Sequence, residues 1–274
     1  MMNWSQNSRN SLVRNSLLAG LWCFLAVSPT LSGNAWAAAS PLSATLRSDL
    51  TTRRNNSFEA LLQHWAKQHG AKASLPLLEL TRDSRLADAD RYLALMGATR
   101  LGGQALAPEL VPTLKDRSWM LRSGALRALS ALQNPATRDA VVPLLKDPSL
   151  VVRTEAVEAV RMLRPESARD ALLQALENPA NYHRGIAQWV PQRALQALVA
   201  IQAKDAAPRL LPLLNRVGDP ALQAKTIDAL ESLTGKKLGK TGTLKVRVEA
   251  WKRELSSAPA PVTASAKRSL QSLR

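Results

Sequence analysis

The chain has 274 residues and a formal net charge of +16, from 37 lysines and arginines against 21 acidic residues. Such an excess of positive charge serves solubility or attracts anionic partners such as lipid head groups, polysaccharides and acidic proteins. The one cysteine, Cys23, lies in an apolar stretch near the N-terminus. If that stretch is removed, no thiol remains, which excludes disulfides, cysteine metal ligands and a thiolate nucleophile.

Residues 1–37 have the pattern of a secretory signal peptide. Arg9 and Arg14 precede an apolar stretch of 11 residues at 17–27, and a small-x-small cleavage site ends at Ala37. The stretch is shorter than the ~20 residues that span a bilayer, which argues against a retained membrane anchor. We therefore predict cleavage near Ala37 and a periplasmic or secreted mature protein.

The segment after the predicted cleavage site, residues 38–56, has scattered polar residues and little periodicity, which predicts a linker. Ser57 can cap a helix that follows it. The apolar residues of that helix fall on one face: Phe58, Leu61, Leu62 and Trp65. We expect this helix to cover the N-terminal end of a repeat array.

Two segments in the middle of the chain, 108–133 and 139–164, repeat each other at an offset of 31 residues. The recurring residues are Pro112 and Pro143, Lys115-Asp116 and Lys146-Asp147, Arg122 and Arg153, and Ala125 and Ala156. Each segment predicts a short first helix, a tight turn at Lys-Asp and a second helix with apolar residues at helical spacing. Because one unit cannot bury that stripe alone, stacked units supply the core of a solenoid.

These units resemble HEAT repeats, in particular the short bacterial variant named after phycobilisome lyases, with the pattern L-P-x-L-x-D-x-x-x-x-V-R-x-x-A-x-x-A-L. The resemblance implies an all-α fold over residues 57–255, a right-handed α-solenoid of about five HEAT-type helix pairs with terminal capping helices. It also implies that a turn aspartate and the arginine after it, such as Asp116 and Arg122, link neighbouring units. It does not decide function, because the same solenoid serves binding scaffolds and several enzymes.

Further units are predicted on both sides of the central pair. In the first, residues 75–97, Asp83 marks the turn and Ala89 takes the position of the arginine. Residues 205–234 form a fifth unit. A final helix with an apolar stripe through Trp251 then closes the C-terminal end of the stack.

The fourth unit departs from the pattern, because about ten extra residues separate its two helices. Insertions in repeat proteins map to loops on one face, which is often the binding face. The predicted partner-binding candidates are Tyr182, His183, Arg184 and Trp189. Tyr, Trp and Arg are the types enriched in interface hot spots. The alternative is that Tyr182 and Trp189 tuck down as a local satellite core.

Positive charge is densest around the predicted final helix. The candidates for anion binding there are Lys236, Lys237, Lys240, Lys245, Arg247, Lys252 and Arg253. Residues 256–274 are rich in Ser, Ala and Pro and predict a disordered basic tail. The alternative to an anion-contacting patch is a solvated basic end that binds nothing.

No sequence motif indicates catalysis. His64, His69 and His183 form neither HExxH nor a His-Glu pair, and no P-loop or G-x-S-x-G occurs. We therefore expect an exported, non-catalytic scaffold without cofactor or metal that binds a cell-envelope protein. The alternative is a binder of an anionic envelope polymer or lipid surface through the basic cluster. A lyase-like or glycosylase-like enzyme is a third possibility, and nucleic acid is not an expected partner because the chain is exported.

Overall fold

Apolar residues at helical spacing run through most of the chain, and the parts that the computed structural model describes are almost wholly helical. The described residues are 41–52, 57–239 and 241–257. All of them belong to one structural unit, Ala39–Arg274. The predicted signal peptide, residues 1–37, lies outside the described residues.

The helices and strands of the described residues come in a regular order. Twelve α-helices occur there: α1 Pro41–Thr52, α2 Phe58–Gln68, α3 Ser74–Arg82, α4 Asp88–Gly102, α5 Ala107–Leu110, α6 Trp119–Leu132, α7 Leu150–Leu163, α8 Arg169–Glu177, α9 Trp189–Ala200, α10 Leu211–Leu214, α11 Pro220–Thr234 and α12 Leu244–Ser257. The 3-10 helices are Gly70–Ala73, Gln104–Leu106, Val111–Lys115, Pro135–Lys146, Glu166–Ala168, Pro179–Asn181 and Lys204–Leu210. Strands β1, Tyr182–His183, and β2, Ile186–Ala187, form an antiparallel hairpin.

Five helix pairs follow one another, and each is one repeat unit. The second helices of the units, α4, α6, α7, α9 and α11, pack against each other in that order. One apolar position recurs in all of them and is buried every time: Leu95, Leu126, Val157, Leu195 and Ile227. The prediction of an all-α solenoid is therefore confirmed.

Prolines shape the first helices of the units. A proline lacks the N–H that an α-helix needs in its interior, so the helix tightens or kinks there. Pro112 lies in the 3-10 helix that follows α5, and Pro143 lies inside the long 3-10 helix of the third unit. The first helices of the second and third units are consequently irregular, whereas the second helices are continuous and form the regular part of the stack.

The N-terminal end of the stack differs from the prediction of a linker over residues 38–56. Helix α1 occupies most of that segment, and Leu46 and Leu50 on it are fully buried. It packs against α3 and α4, and its Asp49 Oδ2 accepts a hydrogen bond of 2.9 Å from Trp65 Nε1. The linker prediction was wrong because two leucines four residues apart are enough to bury one face of a short helix.

The register predicted for the first unit also needs correction. Arg91, and not Ala89, takes the position of the arginine, since its Nη2 donates to the Asp116 carboxylate of the next unit. The turn after Asp83 is two residues longer than the Lys-Asp turns of the central units. That extra length shifts every residue of α4 against the repeat pattern.

The C-terminal end is covered by α12, which contacts α10 and α11. Trp251 is fully buried there and Val248 is buried beside it. This agrees with the expectation that Trp251 covers the last unit. Helix α12 ends at Ser257, and residues 258–274 of the predicted tail lie outside the described residues.

Candidate functional site

Arginines of the second helices link each of the first three units to the next. Arg122 Nε and Nη2 donate to the two carboxylate oxygens of Asp147 at 2.7 and 2.9 Å, and Arg122 Nη1 donates to the Asp116 carbonyl at 2.9 Å. Such two-pronged bonds fix orientation as well as distance. These arginines are thus engaged inside the stack, and they belong to the architecture of the protein.

The series of links changes at the insertion in the fourth unit. Arg153 Nε donates to Asn181 Oδ1 at 2.7 Å, so an amide stands where earlier units have a carboxylate. In α9 the position of the arginine is occupied by Pro191, which has no side-chain donor. The next turn carboxylate, Asp219, instead accepts a hydrogen bond of 2.7 Å from the backbone N–H of Ala187 on β2. The inserted hairpin therefore supplies the link that an arginine supplies elsewhere.

Tyr182 is held within this hairpin. Its hydroxyl donates to the Leu176 carbonyl at 2.5 Å, and the Arg216 guanidinium lies 3.9 Å from the centre of its ring. Burial raises the pKa of the Tyr182 hydroxyl. Its half-buried ring packs against the core, which matches the satellite-core alternative for this residue.

The hairpin tip is presented to solvent. Arg184 and Gly185 both have positive φ, 51° and 83°, as a two-residue turn of the I′ type requires. His183, Arg184 and Ile186 are exposed there. The structure thus separates the predicted candidates, because Tyr182 faces the core and the tip residues face water.

A groove of about 730 Å³ opens on the second helices α7, α9 and α11. Trp189, the first residue of α9, is 63% exposed and lines it. The other lining residues are Glu158, Arg161, Gln192, Arg193, Leu195, Gln196, Val199, Ala200, Lys225, Asp228, Ala229 and Ser232. Of the predicted partner-binding residues, Trp189 alone lies in this groove.

Charged side chains that line the groove form two separate groups of ion pairs. Glu158 accepts hydrogen bonds of 3.0 and 2.5 Å from Arg161 Nε and Nη2. This contact with Arg161 holds the pKa of the Glu158 carboxyl below its usual value. Arg193 Nη1 lies farther from Glu158, at 3.7 Å, and Lys225 Nζ lies 3.6 Å from Asp228. The groove lining therefore carries three basic side chains, Arg161, Arg193 and Lys225, and two carboxylates, Glu158 and Asp228.

The sequence patterns did not indicate that Arg193, Gln196 and the other polar and charged residues of this groove form a site. They occupy outward positions on three different second helices. A signal was present, because polar residues recur at the same solvent-facing position in consecutive units, as Glu158, Gln196 and Asp228 do. These positions lie in one groove only because α7, α9 and α11 pack side by side, and the sequence of a single unit does not contain that information.

The predicted anion-binding cluster is partly neutralised by glutamates. Arg247 Nη2 lies 2.9 Å from Glu231, Lys252 Nζ lies 3.0 Å from Glu249, and Lys236 pairs with Glu254. Lys237, Lys245 and Arg253 are exposed, and Lys240 lies outside the described residues. The described part of the cluster consequently offers fewer unpaired cations than its sequence suggests.

The described residues contain neither a candidate metal site nor a candidate membrane-spanning helix. No group of three or more His, Cys, Asp or Glu side chains is placed to hold a metal ion within the described ranges. Among the helices described, none combines the length and the apolar character needed to cross a membrane.

Stacked helix pairs with arginine links define the class of the protein, an α-solenoid of repeat units. A family model of HEAT repeats matches twice, over residues 74–161 and 107–189. This part of the chain therefore consists of HEAT repeats, as the resemblance predicted. No curated protein matches the chain.

A search of solved structures found a complex of CpcE and CpcF of phycocyanin lyase from Nostoc sp. PCC7120. The similarity has a TM-score of 0.49 at 26% identity and covers 60% of this chain. It spans 65% of the lyase chain, which is less than two thirds of that chain's length. At that TM-score the similarity carries no argument about activity.

Proposed function

We propose that the protein is a non-catalytic scaffold that binds another protein in the groove of α7, α9 and α11. The observation that carries this proposal is Trp189, a large aromatic side chain left 63% exposed at the edge of a groove of about 730 Å³. Tryptophan is enriched in the hot spots of protein interfaces, where burial of its apolar area stabilises a complex.

The rigidity of the groove supports this role. Its three helices belong to consecutive units whose cores are fully buried, and the hairpin before Trp189 is fixed by Tyr182 and Asp219. A side chain on a rigid support loses little conformational freedom on binding. His183 and Arg184, at the hairpin tip, extend the proposed surface beyond the groove.

The proposal includes export to the cell envelope, with cleavage near Ala37. Its support is the signal-peptide pattern of residues 1–37. The partner is then a protein of the periplasm, the envelope or the exterior. A polymer or lipid binder is a weaker proposal, because glutamates pair with three cations of the basic cluster.

The test is capture of partners from the envelope fraction of the native host by the tagged chain from Ala38. Trp189→Ala is compared with Trp119→Ala, a matched control whose tryptophan is also exposed, at 48%, but lies outside the groove. We expect one protein that stays bound at high salt, binds the purified chain directly, and is lost with Trp189→Ala but not with Trp119→Ala. Equal loss with both variants, or no loss with either, would contradict the groove as the binding site.

A further inference from the structure

We infer that the groove recognises an extended acidic peptide segment in which a large apolar residue and a Glu or Asp lie two positions apart. This inference rests on the proposed function, because it names the partner chemistry of the same groove. Trp189 packs on the apolar side chain, and Arg193 binds the carboxylate.

Arg193 has binding capacity that the fold does not use. Its Nη1 lies 3.7 Å from Glu158, which is too long for a direct hydrogen bond, and it donates to no other residue in the described ranges. Glu158 is already satisfied by Arg161. The Arg193 side chain is 42% exposed. A guanidinium with free donors matches the two oxygens of a carboxylate.

The spacing of Trp189 and Arg193 sets the spacing in the ligand. The two residues are four apart on α9, so they share a face and lie about 6 Å apart along the helix axis. In an extended peptide, residues two apart point to the same side and lie about 7 Å apart. A peptide laid along α9 therefore brings an apolar side chain and a carboxylate to both contacts at once.

Two glutamines provide contacts for the peptide backbone. Gln192 and Gln196 line the groove on the same helix. Neither side-chain amide has a hydrogen-bond partner among the residues that the structure describes. Each amide carries both donors and an acceptor, which suits the N–H and C=O groups of an extended chain.

The acidic residues of the groove argue for a single carboxylate and against a polyanion. Glu158 and Asp228 line the same groove as Arg193. A polymer with a negative charge on every repeat would place some of its charges beside these carboxylates, and like charges repel. A peptide with one acidic residue meets that repulsion only beside Arg193, where Arg161 already balances the charge of Glu158.

The test measures fluorescence anisotropy of labelled twelve-residue Gly-Ser peptides with the chain from Ala38. Each peptide carries one Leu and one Glu, with zero to three residues between them. We expect binding with Kd below about 1 mM, tightest with one intervening residue. Glu→Gln or Glu→Lys in the peptide should weaken binding by about tenfold or more.

Protein variants assign the contacts. Arg193→Gln should weaken the Leu-Glu peptide about tenfold and leave the weaker Leu-Gln peptide unchanged. Arg209→Gln, which removes an exposed arginine paired with Glu177 outside the groove, serves as the matched control and should change neither affinity. Thermal unfolding of each variant verifies that it is folded.

The outcomes separate this inference from the proposed function. If Trp189→Ala abolishes peptide binding while Arg193→Gln in the protein and Glu→Gln in the peptide leave the affinity unchanged, the inferred preference for an acidic residue is wrong. The groove then remains the proposed binding site. If no peptide binds below about 1 mM, the inference is overturned, and the capture experiment decides the proposed function independently. If heparin binds more tightly than every peptide in an Arg193-dependent way, the ligand is a polyanion and the inference is likewise overturned.

Discussion

At the scale of single residues, Arg153 is a buried cation held by neutral acceptors. It donates to Asn181 Oδ1 and to the carbonyls of Asp147, Pro148 and Ala180 at 2.7 to 3.0 Å, and burial lowers its pKa. Asn181 is suited to this place because its Nδ2 also donates to a buried carbonyl at 2.9 Å, which a carboxylate could not do.

We predict that Arg153→Met lowers the free energy of unfolding by about 2–4 kcal/mol, because four acceptors lose their donor. Urea titration at pH 7 measures the change. Arg209→Gln breaks an exposed ion pair and should cost less than about 1 kcal/mol. Equal values for the two variants would show that the buried link contributes no more than a surface pair.

Gly97 allows α4 to approach Trp65 closely. A Cβ added there would lie 2.8 Å from Trp65 Cζ3, and Trp65 is fully buried and cannot swing away. Gly97→Ala should therefore destabilise the protein by about 1–3 kcal/mol despite the better helix propensity of alanine. Gly218→Ala is the control, since nothing lies within 4 Å of its added Cβ. A neutral Gly97→Ala in thermal unfolding would contradict the packing described.

At the scale of elements, Asp219 joins the inserted hairpin to α11. Its Oδ2 accepts from Ala187 N–H at 2.7 Å, and its Oδ1 accepts from Leu222 N–H at 2.9 Å as the cap of α11. Asp219→Ala should lower the free energy of unfolding by about 1–3 kcal/mol through loss of the cap and of the link.

The same variant should raise the hydrogen-exchange rate of Ala187 N–H more than that of core amides in α7. Exchange measured by NMR or mass spectrometry tests this local effect. If the hairpin amides keep their protection, the hairpin is held by other contacts and Asp219 acts only as a helix cap.

At the scale of the whole molecule, carboxylates paired with arginines set the response to acid. The hydrogen bond from Arg85 holds the pKa of Asp83 well below its usual range, and bonds from Ser118, Arg161 and Arg169 lower those of Asp88, Glu158 and Asp170. A carboxyl with a lower pKa in the folded state contributes stability above its unfolded pKa, and that stability is lost as pH falls.

We therefore predict that the free energy of unfolding falls progressively below about pH 4. Asp83→Asn should lower stability at pH 7 and flatten this dependence, because the asparagine does not titrate. Urea titrations across pH 2 to 7 measure both effects. If the free energy of unfolding of the wild-type protein rose as pH falls through this range, these contacts could not be the ones that set its response to acid.

Much of the architecture was predictable from the sequence, because each repeat carries its own pattern. The offset between Asp116 and Asp147 sets the period, and the arginines of the second helices recur with it. Helix α1 was not predictable in this way, since its buried face consists of few residues among serines and threonines. The register of Arg91 was missed because a turn two residues longer interrupts the period.

The candidate site was less predictable than the fold. Trp189 could be predicted as a candidate because the inserted segment interrupts the repeat pattern and contains aromatic residues. Arg193 and Gln196 look like ordinary outward positions of an amphipathic helix, and their meeting with residues of α7 and α11 depends on how units stack. The same reasoning was misleading for Tyr182, because this aromatic residue of the insertion packs against the hydrophobic core.

The central claim is that a partner protein occupies the groove of the second helices. The most direct measurement places the photo-crosslinking residue benzoylphenylalanine at Gln196 in the groove or at Leu75, an exposed position on α3 outside it, and irradiates each protein in the envelope fraction. We predict one discrete adduct from position 196 that disappears with Trp189→Ala and none of that size from position 75. The same adduct from both positions, or its persistence with Trp189→Ala, would contradict the groove as the binding site.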